Sequence, residues 1–307
     1  IQNQENIRDL TSMTKIIARF EEIFGNYDAL FCDLWGCLHN GVESFPEALL
    51  CLKEFKRSGK VVVLITNAPR PNFAVKAQID RLGITNQFYD SIITSGDAAQ
   101  VGLFSGMFGT RVYHLGPDRD LSFFEINSEL MTNPVDINLV ELERAESIVC
   151  TGLFNDQIET PEDYFDLIHE GVQKKLKLLC VNPDMMVDYG EKRLWCAGAI
   201  AESYSMAGGV PVYFGKPHYP IYEMAFRKLE ALGHKIAKNR ILCIGDGINT
   251  DILGGNKYGL DTLFICGGLA SSELGITKEE PIPNNKLLRK FLTLQGPKPS
   301  ATISYLK

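Results

Sequence analysis

Nine short runs rich in Val, Ile, Leu and Phe punctuate this 307-residue chain, and segments with helical patterning separate them. These runs predict strands at Ala29–Cys32, Val61–Ile65, Ser91–Thr94, Arg111–Leu115, Ser147–Thr151, Lys177–Val181, Val210–Phe214, Arg240–Ile244 and Thr262–Cys266. Runs without polar alternation suit strands buried on both faces, which is the environment of a parallel sheet covered by helices. The alternation with helices therefore predicts an α/β fold built from βαβ units, with a Rossmann-like parallel sheet.

The helical segments carry their own boundary signals. Pro46 opens one whose Leu49, Leu52 and Phe55 share a face, and Gly59 closes it. Thr160-Pro161-Glu162-Asp163 reads as an N-cap, a first-turn proline and two acids that complement the helix dipole. Ile221, Ala225, Leu229 and Leu232 form another stripe, stopped by Gly233. Glu279–Asn285, with two prolines and two asparagines, predicts a surface loop.

Charge and cysteine usage narrow the class of partner. Lys and Arg number 31 against 38 Asp and Glu, a formal net charge of −7. No nucleic acid and no membrane surface is expected as a partner, because both call for a basic footprint. No apolar run approaches the ~20 residues that span a bilayer. Eight cysteines, none in a CxxC pair, mostly sit inside apolar runs such as Leu178-Leu179-Cys180-Val181. They read as buried thiols of a cytoplasmic protein, and the first residues lack a charged-then-apolar leader pattern. Nothing in the composition opposes a homo-oligomer.

Three of the runs end directly in chemistry. They are Phe31-Cys32-Asp33-Leu34-Trp35-Gly36, Leu64-Ile65-Thr66-Asn67 and Ile244-Gly245-Asp246-Gly247-Ile248-Asn249-Thr250-Asp251. A fourth, Phe214-Gly215-Lys216-Pro217, adds a lysine. In an open α/β sheet, ligands bind outside the carboxyl ends of the strands, so these residues are expected to meet there. The set suits phosphate chemistry: a carboxylate nucleophile, two acids able to hold Mg²⁺, and a lysine to offset phosphoryl charge. Thr66 and the Asn67 N–H suit phosphate oxygens. Taken singly, Asp33 also suits a helix N-cap, Thr66-Asn67 a turn, Lys216 a solvated surface, and Asp246 with Asp251 a capped turn.

The order Asp33…Thr66-Asn67…Lys216…Gly245-Asp246-x-x-x-Thr250-Asp251 resembles the haloacid dehalogenase superfamily of aspartate-nucleophile hydrolases, from about Ala29 to Gly268. The long interval between Thr66 and Lys216, with Cys150-Thr151-Gly152 and Asn182-Pro183-Asp184 inside it, is similar to the class IIA subgroup. That subgroup includes N-acetylglucosamine-phosphate phosphatase-like and nitrophenyl-phosphatase-like proteins. The resemblance implies a core of residues 1–92 and 208–307, with 93–207 inserted as an α/β cap domain. It implies Asp33 as nucleophile and Mg²⁺ ligand, with the Trp35 carbonyl and Asp246 as further ligands and Asp251 supporting the metal. Thr66 and Asn67 would bind phosphate, and Lys216 would steady nucleophile and phosphate. Asn182 and Asp184 are candidate substrate contacts, with Asp188, Arg193 and Trp195 just beyond; a helix-capping Asp184 and a packing Trp195 suit the same pattern equally well.

One position departs from the pattern. The phosphatases carry a second aspartate two residues after the nucleophile, as general acid and then base, and here that residue is Trp35. Indole cannot exchange the proton, and general acid–base catalysis contributes about 10²–10⁴-fold. Slow hydrolysis of a small phosphorylated metabolite is therefore expected; His39 is a candidate substitute proton carrier, although a loop histidine of this kind is more often a hydrogen-bonded or solvated side chain. Two alternatives stay open at this point: a binding or regulatory protein that keeps the phosphate pocket, and a hydrolase of another bond such as C–halogen.

Overall fold

The computed structural model describes residues 14–126, 130–277 and 279–307. Within them lie β1 (Lys15–Ile16), β2 (Ala29–Cys32), β3 (Val61–Thr66), β4 (Ser91–Thr94), β5 (Arg111–Leu115), β6 (Asn138–Leu139) and β7 (Ser147–Cys150). They are followed by β8 (Lys177–Cys180), β9 (Met186–Tyr189), β10 (Lys192–Trp195), β11 (Val210–Tyr213), β12 (Ile241–Gly245), β13 (Asp261–Ile265) and β14 (Ala301–Ile303). The nine expected strands are all present, displaced by no more than one residue at either end. β1, β6, β9, β10 and β14 add to them; they are two to four residues long and too short to carry a pattern of their own.

Two parallel sheets result. One has seven strands in the order β1-β14-β13-β12-β2-β3-β4, the other five in the order β11-β8-β7-β5-β6, and β9 with β10 forms an antiparallel hairpin. Alternate residues of each central strand serve opposite faces of the larger sheet. Leu30, Cys32, Val62 and Leu64 pack with Leu49, Leu52 and Phe55 of the helix Pro46–Arg57 and with Val75 and Ile79 of Asn72–Arg81. Ala29, Phe31, Val61, Val63 and Ile65 pack instead with Ile221, Tyr222, Ala225 and Leu229 of the helix Tyr219–Ala231. Burial on both faces explains why β3 reads as an unbroken apolar run.

The helix signals are largely realised. Gly59 takes φ +79° just past its helix, a conformation that costs a residue without Cβ little. Thr160 and Asp163 form a reciprocal capping box ahead of the helix Phe165–Gln173. Leu232 departs from its stripe: it follows the last helical turn and is 39% exposed. Asn284 caps a helix at Asn285–Gln295, so the expected loop ends one residue earlier.

Neither expected boundary of the inserted segment follows the strand pairing: one falls inside β4, the other just ahead of β11. A boundary at 92/93 would divide β4, which pairs along its length with β3. A boundary at 207/208 would assign β11 to the larger sheet, yet all four of its residues pair with β8 in the smaller one. Val210, Val212 and Tyr213 look like any other buried strand in sequence, and only pairing decides the sheet. Residues 1–13 of the expected core lie outside the described residues. Among the described residues, no helix is long and apolar enough to cross a membrane.

Candidate active site

Asp33 follows β2 directly, Thr66 ends β3 and Asn67 follows it, and Asp246 follows β12. Because β12, β2 and β3 are parallel neighbours, their carboxyl ends deliver these residues to one edge. Asp251 arrives on the turn Ile248–Ile252, whose N–H groups at 251 and 252 bond back to the Gly247 carbonyl. Gly36, at φ +71°, lets this edge close: a Cβ there would stand 2.0 Å from an Asp246 carboxylate oxygen.

Lys216 comes from the other sheet, three residues past β11, and is 3% exposed. Its ammonium donates to Asp33 Oδ1 at 2.6 Å, Asp251 Oδ1 at 2.7 Å and the Ile65 carbonyl at 3.1 Å. The reading of Lys216 as a solvated surface lysine therefore fails. Asn67 clamps the same loop, accepting from the Lys216 N–H at 2.7 Å and donating to its carbonyl at 3.2 Å. Asn67 Nδ2 also donates to Asp184 Oδ1 at 2.8 Å. Thr66 Oγ1 accepts from the Ala68 N–H, which makes the strand end a side-chain-closed turn.

The electrostatics of the cluster are unbalanced. Carboxylate oxygens of Asp33, Asp246 and Asp251 lie within 4.8 Å of one another, all buried. Three ionised carboxylates against one ammonium would leave two negative charges uncompensated. Burial pushes Asp33 up to about 8 despite the pull of Lys216, and Asp251 adds to the rise. Burial and the charges of Asp33 and Asp251 hold Asp246 well above the usual carboxylate range, relieved by the Leu269 N–H. At Lys216 burial works toward the neutral amine, but Asp251 and Asp33 outweigh it and hold the charge. An all-oxygen donor set of this kind fits a divalent cation, which would favour the ionised forms of Asp33 and Asp246.

Beside this cluster opens a cavity of about 600 Å³, lined by Asp33, Trp35, Thr66, Asn182, Asp184 and Trp195 among others. The Trp35 ring forms part of its wall and packs against His39 and Tyr189, with centroids 4.9 and 6.1 Å away. His39 is not placed to carry protons to a substrate. It has no exposed surface, its Nδ1 accepts from the Gly41 N–H, and burial pushes it down to about 4. Asp188 and Arg193 are also diverted from the cavity. They pair with each other at 2.7 Å across the β9–β10 hairpin, and Arg193 reaches the Leu269 carbonyl.

The cavity wall also holds residues that sequence reasoning missed. Arg70 forms part of it with Arg119 and Asp120. Arg70 Nε is buried without a hydrogen-bond partner and stands 3.5 Å from Asp120 Oδ1. The only sequence signal for Arg70 was its place three residues beyond Asn67, which does not tell where its side chain points.

Fold, strand-end acids and buried lysine together define an aspartate-based hydrolase with room for a small substrate. The description "haloacid dehalogenase-like hydrolase" matches residues 30–127, and "HAD-hydrolase-like" matches residues 213–286. An acid sugar phosphatase of Staphylococcus aureus is 33% identical over 249 residues, covering 80% of this chain and 89% of that protein. The crystal structure of a haloacid dehalogenase-like hydrolase from Brucella suis is 37% identical, covers 95% of this chain and 100% of its own, and superposes with a TM-score of 0.81. A glycerol phosphate phosphatase of Mycobacterium tuberculosis, solved in complex with magnesium, shares the fold at 21% identity, covering 87% of this chain and 77% of its own, with a TM-score of 0.58. The chain belongs to the haloacid dehalogenase-like hydrolases, in the class IIA manner its motifs resemble.

Proposed function

We propose that this protein is a Mg²⁺-dependent phosphatase of small phosphorylated compounds, sugar phosphates among them, working through an aspartyl-phosphate on Asp33. The observation that carries this reading is the Asp33–Lys216 contact of 2.6 Å beside two further buried acids. In this reading Lys216 holds Asp33 in position and offsets phosphate charge, while Thr66 and Asn67 receive phosphate oxygens. Asp33, the Trp35 carbonyl and Asp246 would hold the cation, with Asp251 supporting it, and the bound ion would supply charge neutralisation at the phosphoryl group. The small-molecule relatives support the substrate class, and the seven-stranded sheet reads as the catalytic core. The segment carrying the five-stranded sheet, about 95–214, reads as the cap that closes the cavity and excludes water. Eight unpaired thiols, all but Cys51 buried, support a reducing cytoplasm.

The test is a panel of phosphate esters with Mg²⁺ and with EDTA. Phosphate release abolished by EDTA is expected. Tight ester binding without release would leave a binding protein, the outcome Trp35 favours. Release of halide independent of metal would leave a C–halogen hydrolase, which the unbalanced acids oppose.

A further inference from the structure

Trp35 cannot supply the proton that an alkoxide leaving group needs, and His39 is sealed beneath it. We propose that Asp184 is the general acid, and then the base, of this active site. This inference rests on the phosphatase reading. Three placements support it. Asp184 lines the same cavity as Asp33 and Trp35. Its Oδ1 is 2.8 Å from Asn67 Nδ2, which puts the carboxyl against the phosphate-binding pair. It also follows β8 through Asn182-Pro183, so it approaches from the smaller sheet, whereas Asp33 approaches from the larger one. Phosphoryl transfer proceeds with attacking and leaving oxygens roughly in line, so a nucleophile on one side sends the leaving group toward the other.

The backbone of Asp184 is fixed at both ends. Its N–H donates to Asn182 Oδ1 at 3.0 Å and its carbonyl accepts from Gly198 N–H at 3.1 Å. Burial pushes the carboxyl up to about 6, against the pull of Lys216 and the Asn67 hydrogen bond, with Asp251 adding to the rise. Asp33 and Asp246 also face it through space, as do the thiols of Cys180 and Cys196. A group poised near neutrality serves both proton transfers. Asp120 is the other cavity carboxyl pushed to about 6, but it faces the Arg70 guanidinium at 3.5 Å rather than the phosphate-binding pair.

In the first step an Asp33 oxygen bonds to phosphorus and the ester P–O bond breaks. The departing oxygen takes its electron pair and the Asp184 proton, leaving as the alcohol. In the second, ionised Asp184 takes a proton from water as the water oxygen bonds to phosphorus. The bond to Asp33 breaks with its electron pair returning to Asp33, inorganic phosphate leaves, and Asp184 is protonated again.

The test compares leaving groups in Asp184→Asn, which keeps the shape and an oxygen for Asn67. With Mg²⁺, hydrolysis of alkyl esters such as glycerol and hexose phosphates should fall about 10²–10⁴-fold in kcat/KM. With 4-nitrophenyl phosphate, whose leaving group needs no proton, about one nitrophenolate per chain should still appear in a burst, before a slowed steady state. Equal loss of kcat/KM for both ester classes, or no loss for either, overturns the proposal. If Asp184→Asn does not fold, Asp184→Glu and Asp184→Gln replace it. The Gln variant should show an alkyl-to-aryl ratio at least tenfold below the Glu variant, and parity overturns the assignment. Absence of phosphate release by the unaltered protein from every ester would remove the phosphatase reading itself. Normal release together with an unaffected Asp184→Asn removes only the role of Asp184.

Discussion

The Lys216 ammonium stands 2.6 Å from an Asp33 carboxylate oxygen although 183 residues separate the two along the chain. The contact joins the ends of two strands from different sheets, so it links the nucleophile candidate to the placement of the smaller sheet over the larger. The same ammonium reaches Asp251 at 2.7 Å, and its removal leaves two buried acids facing each other.

Lys216→Met should therefore damage both chemistry and stability. Removing one partner of a buried ion pair costs about 3–5 kcal/mol, because the remaining charge stays desolvated. Phosphate release should fall at least about 100-fold, the scale on which removal of one charge-stabilising group acts. Urea unfolding and phosphate release measured on the same preparation check both, and a variant with unchanged midpoint and unchanged rate would contradict this account of the pair.

Cation binding should expel protons. Burial and mutual repulsion hold Asp33 near 8 and Asp246 well above the usual carboxylate range in the cation-free cluster, so both must ionise to coordinate. Mg²⁺ affinity should fall as pH decreases, and the apparent binding heat should change with the ionisation enthalpy of the buffer. Asp246→Asn should weaken binding at least tenfold, about 1.4 kcal/mol. Calorimetry with equal affinities for both forms would take Asp246 out of the coordination set.

Trp35→Ala should raise KM more than it lowers kcat. The indole lines the cavity and supports Tyr189 of the β9–β10 hairpin, whereas the carbonyl assigned to the cation belongs to the backbone and remains. Steady-state kinetics on one accepted ester separate the two effects, and a loss confined to kcat would point to a direct part of the ring in the reaction.

His39 should make the fold acid-sensitive. An unfolded histidine titrates near 6.5, and burial lowers this one to about 4. The unfolded chain then binds the extra proton between those values, so stability declines as pH falls from about 6.5 to 4 and His39 adds no further loss below that. The contribution is on the order of 3 kcal/mol, at about 1.36 kcal/mol for each pH unit between the two values. His39→Asn, measured by denaturant unfolding at pH 7 and pH 4.5, should lose less stability between the two pH values than the unaltered chain. An identical decline in both would remove His39 as the cause.

Sequence alone determined the elements that repeat a local pattern and the chemistry at their ends. The run Val61-Val62-Val63-Leu64-Ile65 announces a strand covered on both faces, and the polar residues after it announce a ligand-binding edge. Asp33, Thr66, Asn67, Lys216, Asp246 and Asp251 were legible for that reason, since each follows or ends a patterned strand or its adjoining turn. Tertiary structure alone decided which sheet β11 joins, because its pairing with Lys177–Cys180 is a contact between distant segments. It also decided that β1 and β14, only two and three residues long, finish the larger sheet. It buried His39 behind Trp35, set Arg70 against Asp120, and brought Asp184 to Asn67 across 117 residues. The physical reason is one of range. Periodicity and capping act within a few residues and leave a mark in the sequence, whereas side-chain direction and partner choice follow from packing between segments far apart along the chain.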